Sequence, residues 1–292
     1  MKSFSAIAFL TLLSLLSPRQ DDAVQTGSYA LQNGSPAAQA HLADRAPDGH
    51  HHHLDLWMTS GDAQRPITTY DVEMTKRLHL IIVGADFTTF RHVHPALQPN
   101  GHFRIDQQLP HGTFLAYADS TPHGLGQQVF RFVIGDARQA RNAQRDLHER
   151  RTTAQVDGYT VRLSTTTLRA SASDALIVHV LKNGKPAGDL HPYLGASAHA
   201  VFLNSADLSY VHVHPMSLHD MEGMPMGNMS MPGMHMGGMS PARSGDLPDT
   251  AKSSPDMMLH VALREPGTYK LWLQFRGGAA LHVTPFVITV VP

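Results

Sequence analysis

Leu78-His79-Leu80-Ile81-Ile82-Val83-Gly84-Ala85-Asp86-Phe87-Thr88-Thr89-Phe90-Arg91-His92-Val93-His94-Pro95 returns 120 residues later as Ala198-His199-Ala200-Val201-Phe202-Leu203-Asn204-Ser205-Ala206-Asp207-Leu208-Ser209-Tyr210-Val211-His212-Val213-His214-Pro215. In each copy an apolar, β-branched run is followed by turn formers and a second short run, the pattern of strand, turn, strand. The offset aligns Pro66 with Pro186, His79 with His199, Phe90 with Tyr210, His92 with His212, His94 with His214 and Pro95 with Pro215. Further on it grows to 155, where Gly112-Thr113-Phe114 meets Gly267-Thr268-Tyr269, so the second copy carries an insertion between His214 and Met257. At the far end Phe132-Val133-Ile134 answers Phe286-Val287-Ile288. A fixed offset of this size marks a duplicated unit. The expected fold is all-β: two tandem immunoglobulin-like β-sandwich domains, with a Met-rich loop inserted in the second.

Other β-type runs at 53–58, 113–118 and 129–134, punctuated by Asn100-Gly101, His111-Gly112 and Asn183-Gly184, agree with that reading, and no stretch carries a long helical apolar stripe. At 292 residues the chain has room for two cores. The expected divisions are a signal peptide at 1–23, a flexible leader at 24–49, a first sandwich at 50–135, a linker at 136–153 and a second sandwich at 154–292 holding the loop at 216–256. The leader is read from its Ala, Gln, Gly, Ser and Asp content with little apolar periodicity. The linker, with Arg138, Arg141, Arg145, Arg150 and Arg151, reads as a solvated connector or one short helix.

Met1-Lys2 followed by an apolar run over 4–16 suits a secretory signal and is too short for a membrane span. Export to the periplasm, cell envelope or exterior is therefore expected, without a transmembrane span in the mature chain. Lys plus Arg number 23 against 24 for Asp plus Glu, so bulk charge offers nothing to nucleic acid or an anionic membrane. There are 21 His and 14 Met but no Cys, which excludes thiolate zinc sites, disulfides and Cys-ligated copper centres. Any bound metal must take imidazole, thioether or oxygen.

Two constellations supply such ligands. Along a strand, His92 and His94 share a face with Phe90, and His212 and His214 repeat the arrangement, so paired imidazoles can converge on one Cu(II), Zn(II) or Ni(II). His79 and His199, in the preceding strand of each copy, are candidate third ligands. The plain alternative is a half-exposed strand whose polar face happens to carry His. The insertion reads as four pentads with Met221, Met224, Met226, Met229, Met231, Met234, Met236 and Met239, extended by Met216, His219 and His235. Interspersed Gly and Pro break helix and strand, so these thioethers form no packed stripe; they select Cu(I) over hard cations. A contact surface for a partner and a sacrificial oxidation sink are the competing readings. His50–His53 is a third cluster, read more simply as a His run with incidental affinity. Nucleophile-elbow, zinc-protease and phosphate-loop motifs are missing, and the chain is read as a non-enzyme.

The pieces 78–95 and 198–215, with their shared His and terminal His-Val-His-Pro, resemble bacterial exported proteins of the YtkA-like and related heavy-metal-binding type. The pentads resemble the Met-rich segments of periplasmic copper-resistance proteins such as the CopC group, which are also small β-sandwiches. That second resemblance implies copper binding or shuttling at Met221 to Met239 with neighbouring His, although here the loop is inserted in a duplicated domain. The expected ligands are Cu(II) at the His sites and Cu(I) at the Met loop, with zinc as an alternative ion and another envelope copper-handling protein as a partner. Because imidazole must shed its proton to bind, affinity at the His sites is expected to fall below about pH 6. The rival expectation is a tandem immunoglobulin-like interaction module that uses the Met loop as its contact.

Overall fold

The computed structural model describes residues 24–46, 48–61, 65–147, 150–171, 173–218 and 246–292. Two β-sandwiches follow one another. In the first, one sheet runs Gln25–Thr26, Gln39–Arg45, His51–Thr59, Phe103–Gln108, Ala96–Leu97, and its partner runs Ser28–Tyr29, Gln128–Ile134, Phe114–Pro122, Leu78–Gly84, Phe90–Val93. The second repeats the plan. One sheet runs Thr153–Val156, Tyr159–Leu163, Asp174–Lys182, Asp256–Val261, Met216–Ser217, and the other runs Thr167–Arg169, Ala280–Val291, Gly267–Gly277, His199–Asn204, Tyr210–Val213. The pairings are antiparallel except that of Thr167–Arg169 with Ala280–Val291.

All seven residues of Leu78–Gly84 are buried, and the alternation of a strand explains how. Leu78, Leu80 and Ile82 enter the core of the first sandwich, whereas Ile81 and Val83 face outward into a separate apolar layer between the sandwiches. The second copy does the same with Ala198, Ala200 and Phe202 inward and Val201 and Leu203 outward. Phe87, Leu115, Tyr117, Val129, Tyr210 and Trp272 complete the layer, with Trp272 stacked on Phe90 at 5.4 Å and against the edge of Phe87 at 5.7 Å. The two sandwiches therefore pack outer face to outer face, with Ile81, Val83, Val201 and Leu203 in the shared layer.

The segment 24–49 is not a flexible leader. Gln39–Arg45 pairs along its length with the strand carrying His51 to Thr59, and Ala38, Ala40 and Leu42 alternate into the first core. The period of two was written largely in alanine, too weakly apolar to stand out. Further on, Ala30 O accepts from Tyr210 N at 2.9 Å, and Gln32 Nε2 donates to Ser209 Oγ and the Tyr269 hydroxyl, so this segment ties the domains together. The connector carries a short helix, Ala137–Asn142, capped by the Asp136 carboxylate, with Ala140 buried in the layer between domains. The signal at 1–23 and the Met pentads lie outside the described residues. Among those described, no helix is long and apolar enough to cross a membrane.

Candidate metal centre

Register carries the histidines to one place. Ile81 pairs with His92 and Val201 with His212, and cross-strand partners share a face, so His79, His92 and His94 point the same way as Ile81, into the gap between domains. His199, His212 and His214 arrive from the other side. Six imidazoles gather there as two triangles: His79, His92 and His94 with ring centroids 4.7 to 5.2 Å apart, and His199, His212 and His214 at 4.6 to 5.4 Å. The triangles touch, with His92 5.2 Å from His199 and 5.4 Å from His212. His79, His92 and His199 are 4 %, 8 % and 1 % exposed.

The ring nitrogens are already spaced as ligands. His79 Nδ1 lies 3.0 Å from His92 Nε2, which lies 3.2 Å from His94 Nε2; in the second copy His199 Nδ1 and His212 Nε2 are 3.2 Å apart. Two nitrogens at such separations, each about 2.0 Å from a shared ion, subtend roughly 95–105° at it, a normal coordination angle. Among the described residues, the groups that bring three ligand atoms within 4.8 Å of one another are His79, His92, His94 and His92, His199, His212. His92 belongs to both, so the two sets are one continuous site spanning the domains.

Partners on the far side of each ring fix where the protons sit. His79 Nε2 donates to Glu73 O and His199 Nε2 to Tyr193 O, both at 2.9 Å. Each carbonyl comes from a tight turn with two central residues at positive φ, Met74 and Thr75 in one copy and Leu194 and Gly195 in the other. His92 Nδ1 donates to Gln274 Oε1 at 2.9 Å, and His212 Nδ1 faces Asp119 Oδ2 at 3.4 Å. With the proton of each ring engaged outward, the inner nitrogens present lone pairs to one another at 3.0 to 3.2 Å, an unfavourable arrangement unless an electrophile lies between them. His214 Nε2 is likewise buried with no hydrogen-bond partner.

A proton is a poor candidate for that electrophile. Burial pushes His79 down to about 4, helped by the neighbouring His212, and burial together with His79 and Lys76 pushes His94 down to about 3. His92, His199 and His214 are driven well below the ordinary value by burial and then by the neighbouring imidazoles, His212 and His79 among them. Burial would raise Asp119, but the hydrogen bond and charge of His212 outweigh it and hold the carboxyl below its usual range.

A pH dependence follows. The folded chain protonates His79 only near pH 4 while the unfolded chain does so at 6.5, so unfolding takes up protons between those values. The metal-free protein is expected to keep a constant unfolding temperature above about pH 7 and to lose stability progressively as pH falls from about 6.5 to about 4. Calorimetry across that range checks it, and a flat profile would contradict the burial of neutral rings. The loss of metal affinity expected below about pH 6 moves to lower pH for the same reason.

The other histidines disperse. In His51–Thr59, alternation exposes His51 and His53 and buries His52, and each has its own carboxylate: Asp48 for His51, Asp44 for His52 at 3.0 Å, Asp106 for His53 at 2.7 Å. The run therefore does not gather at one point. Met221, Met224, Met226, Met229, Met231, Met234, His235, Met236 and Met239 lie outside the described residues, as does His219. The flanks of the insertion are placed: Met216–Ser217 pairs with Asp256–Val261, and Leu247 N donates to Gly195 O, beside the turn that holds His199. Asp246 packs on Gly195 at a distance no side chain there would allow.

Glu73, Tyr193, Asp119 and Gln274 were missed in the sequence, although the repeat contains the signal. An offset of 120 maps Glu73 onto Tyr193, and 155 maps Asp119 onto Gln274.

Fold and site together define a duplicated β-sandwich protein with a six-histidine cluster, able to hold metal, at the junction of its halves. Residues 154–292 match a family model described as a domain of unknown function, DUF8832. No curated protein matches the chain. Among solved structures it is similar to Escherichia coli alpha-2-macroglobulin activated by porcine elastase, with 9 % identity and a TM-score of 0.24 over 88 % of this chain and 24 % of that one. It is also similar to S. aureus TarS, with 10 % identity and a TM-score of 0.20 over 68 % of this chain and 33 % of that one. The chain thus spans about a quarter and a third of those proteins, and both likenesses are too loose to extend the description of the fold.

Proposed function

We propose that the chain is an exported, non-enzymatic protein that binds copper, or another soft or borderline metal, in metal resistance, buffering or shuttling. The observation that carries this reading is the set of inward-facing imidazole nitrogens whose outer protons are engaged by Glu73 O, Tyr193 O, Gln274 and the Asp119 carboxylate. Imidazole suits Cu(II) and Zn(II), and eight thioethers on a segment that follows directly on His214 suit Cu(I). Copper is favoured over zinc because the two ligand types together serve both copper oxidation states. Export rests on the apolar run after Lys2, and the likeness to YtkA-like and CopC-like proteins agrees with both points.

The test is to purify the mature chain from metal-replete cells, measure bound elements, and compare a deletion of 219–245 with substitutions at His92, His94, His212 and His214. Copper retained by the deletion and lost on His substitution supports the histidine half. Micromolar or tighter Cu(I) binding by the 216–240 peptide supports the methionine half. A protein free of transition metals, with affinity indifferent to all four His, overturns the reading.

A further inference from the structure

We infer that the cluster holds two metal ions, one per histidine triangle, and that the pair is unequal: the second-domain triangle, backed by Asp119, fills before the first. The inference rests on the metal-binding reading above and adds nuclearity and order of loading to it. Two ions follow from the shape of the cluster. His94 makes its histidine ring contacts with His79 and His92, and His214 makes its own with His199 and His212, so the outer rings stand at opposite ends. The nitrogens within 4.8 Å of one another are those of His79, His92 and His94 and of His92, His199 and His212, so a second ion keeps three imidazoles when His214 takes the place that His92 gives to the first. A single central ion would leave both outside its shell.

The inequality follows from how the repeat departs from symmetry. Asp119 pairs with His79 across its sheet, and Gln274 pairs with His199 in the same way, so the two occupy equivalent positions. Each reaches across the interface to the other domain: Asp119 to His212, Gln274 to His92. The chain thus sets a carboxylate behind one triangle and a neutral amide behind the other. Asp119 is fixed by Gln127 Nε2 at 2.9 Å and by the Tyr210 hydroxyl at 3.1 Å, which hold it as an acceptor toward His212. The second departure acts in the same direction. Lys76 stands near enough for its charge to bear on His79 and His94, while the equivalent residue of the second copy is Ala196. Asp119 lies beside His79 as well, so its charge bears on both triangles, but its hydrogen bond goes to the second, and Lys76 offsets it at the first. A carboxylate behind a ligating imidazole raises the basicity of that ligand, and losing such a partner costs about tenfold to a hundredfold in metal affinity.

The experiment titrates Cu(II) into the metal-free full-length mature chain, following binding and the electron paramagnetic resonance signal together. The His92→Ala/His212→Ala variant serves as reference for copper held elsewhere, including the 50–53 run. Expected above the reference are two equivalents in two resolved steps. The first gives an isolated Cu(II) signal, and the second diminishes it or adds a half-field transition as neighbouring ions couple. Asp119→Asn should weaken the first step about tenfold to a hundredfold and merge it with the second. Gln274→Glu should tighten the second step by a similar factor, and it decides the matter if Asp119→Asn fails to fold. One equivalent with an uncoupled signal at saturation overturns the two-ion inference and leaves the proposed function standing. Two steps indifferent to both substitutions overturn the inequality. No binding above the reference overturns this inference and the metal-binding reading alike.

Discussion

Saturating the metal-free protein with Cu(II) is expected to raise its unfolding midpoint by on the order of 10 °C, and the His92→Ala/His212→Ala variant is expected to lose nearly all of that rise. Free metal at about a thousand times its dissociation constant contributes about 4 kcal/mol to a protein that binds it only when folded. For chains of this size each kcal/mol moves the midpoint by roughly 2–4 °C. The site favours such linkage because it exists only when both sandwiches are folded and joined: His92 and His212 come from different domains, and their ring centroids are 5.4 Å apart. Removing these two strips one ligand from each triangle together with the contacts that connect them. Without metal the same substitutions relieve facing lone pairs but open cavities and take the His212 hydrogen bond from buried Asp119, so the metal-free variant sets its own baseline. Differential scanning calorimetry of the four combinations of variant and metal separates these effects, and an equal rise in both proteins would place the stabilising ion elsewhere.

Trp272→Ala is expected to destabilise the fold by about 3–5 kcal/mol and to weaken metal binding, although the ring contacts of Trp272 are with Phe87 and Phe90 and not with the histidines. Trp272 is 2 % exposed, stacks on Phe90, and packs against Phe87 in the layer between the sandwiches. Phe90 begins the strand that carries His92, so the indole sets the position of one triangle against the other. The cores inside the two sandwiches do not include Trp272. The substitution should therefore loosen the junction first and split one unfolding transition into two, with copper affinity falling alongside. Trp272→Phe should restore most of both. A variant that unfolds in one step with native copper affinity would show that the junction does not position the site.

Much of the fold was legible because a duplication writes its registers twice. The pairs His79 with His199 and His92 with His212 gave strand positions and the shared face of each His-x-His. The strand of Gln39–Arg45 was not legible, because Ala38 and Ala40 carry its inward face and alanine contributes little contrast. Which face of Leu78–Gly84 met what was also hidden. A strand apolar at every position except His79 is consistent with burial on both sides, yet nothing in it says that the second layer is another copy of the same domain. That one fact turns two modest sites into a six-membered cluster. The outer partners Asp119 and Gln274 escaped because each serves a histidine of the other domain, a relation that no spacing along the chain expresses. Their side chains become conspicuous only when the two copies are laid over each other and this pair differs in charge.

The most direct test is X-ray absorption at the copper edge on the chain loaded with Cu(II), with and without residues 219–245. A shell of nitrogens at about 2.0 Å with the outer scattering of imidazole rings is expected, unchanged by the deletion and abolished in His92→Ala/His212→Ala. A shell dominated by sulfur, or an imidazole shell that survives the double substitution, would contradict binding at the histidine cluster.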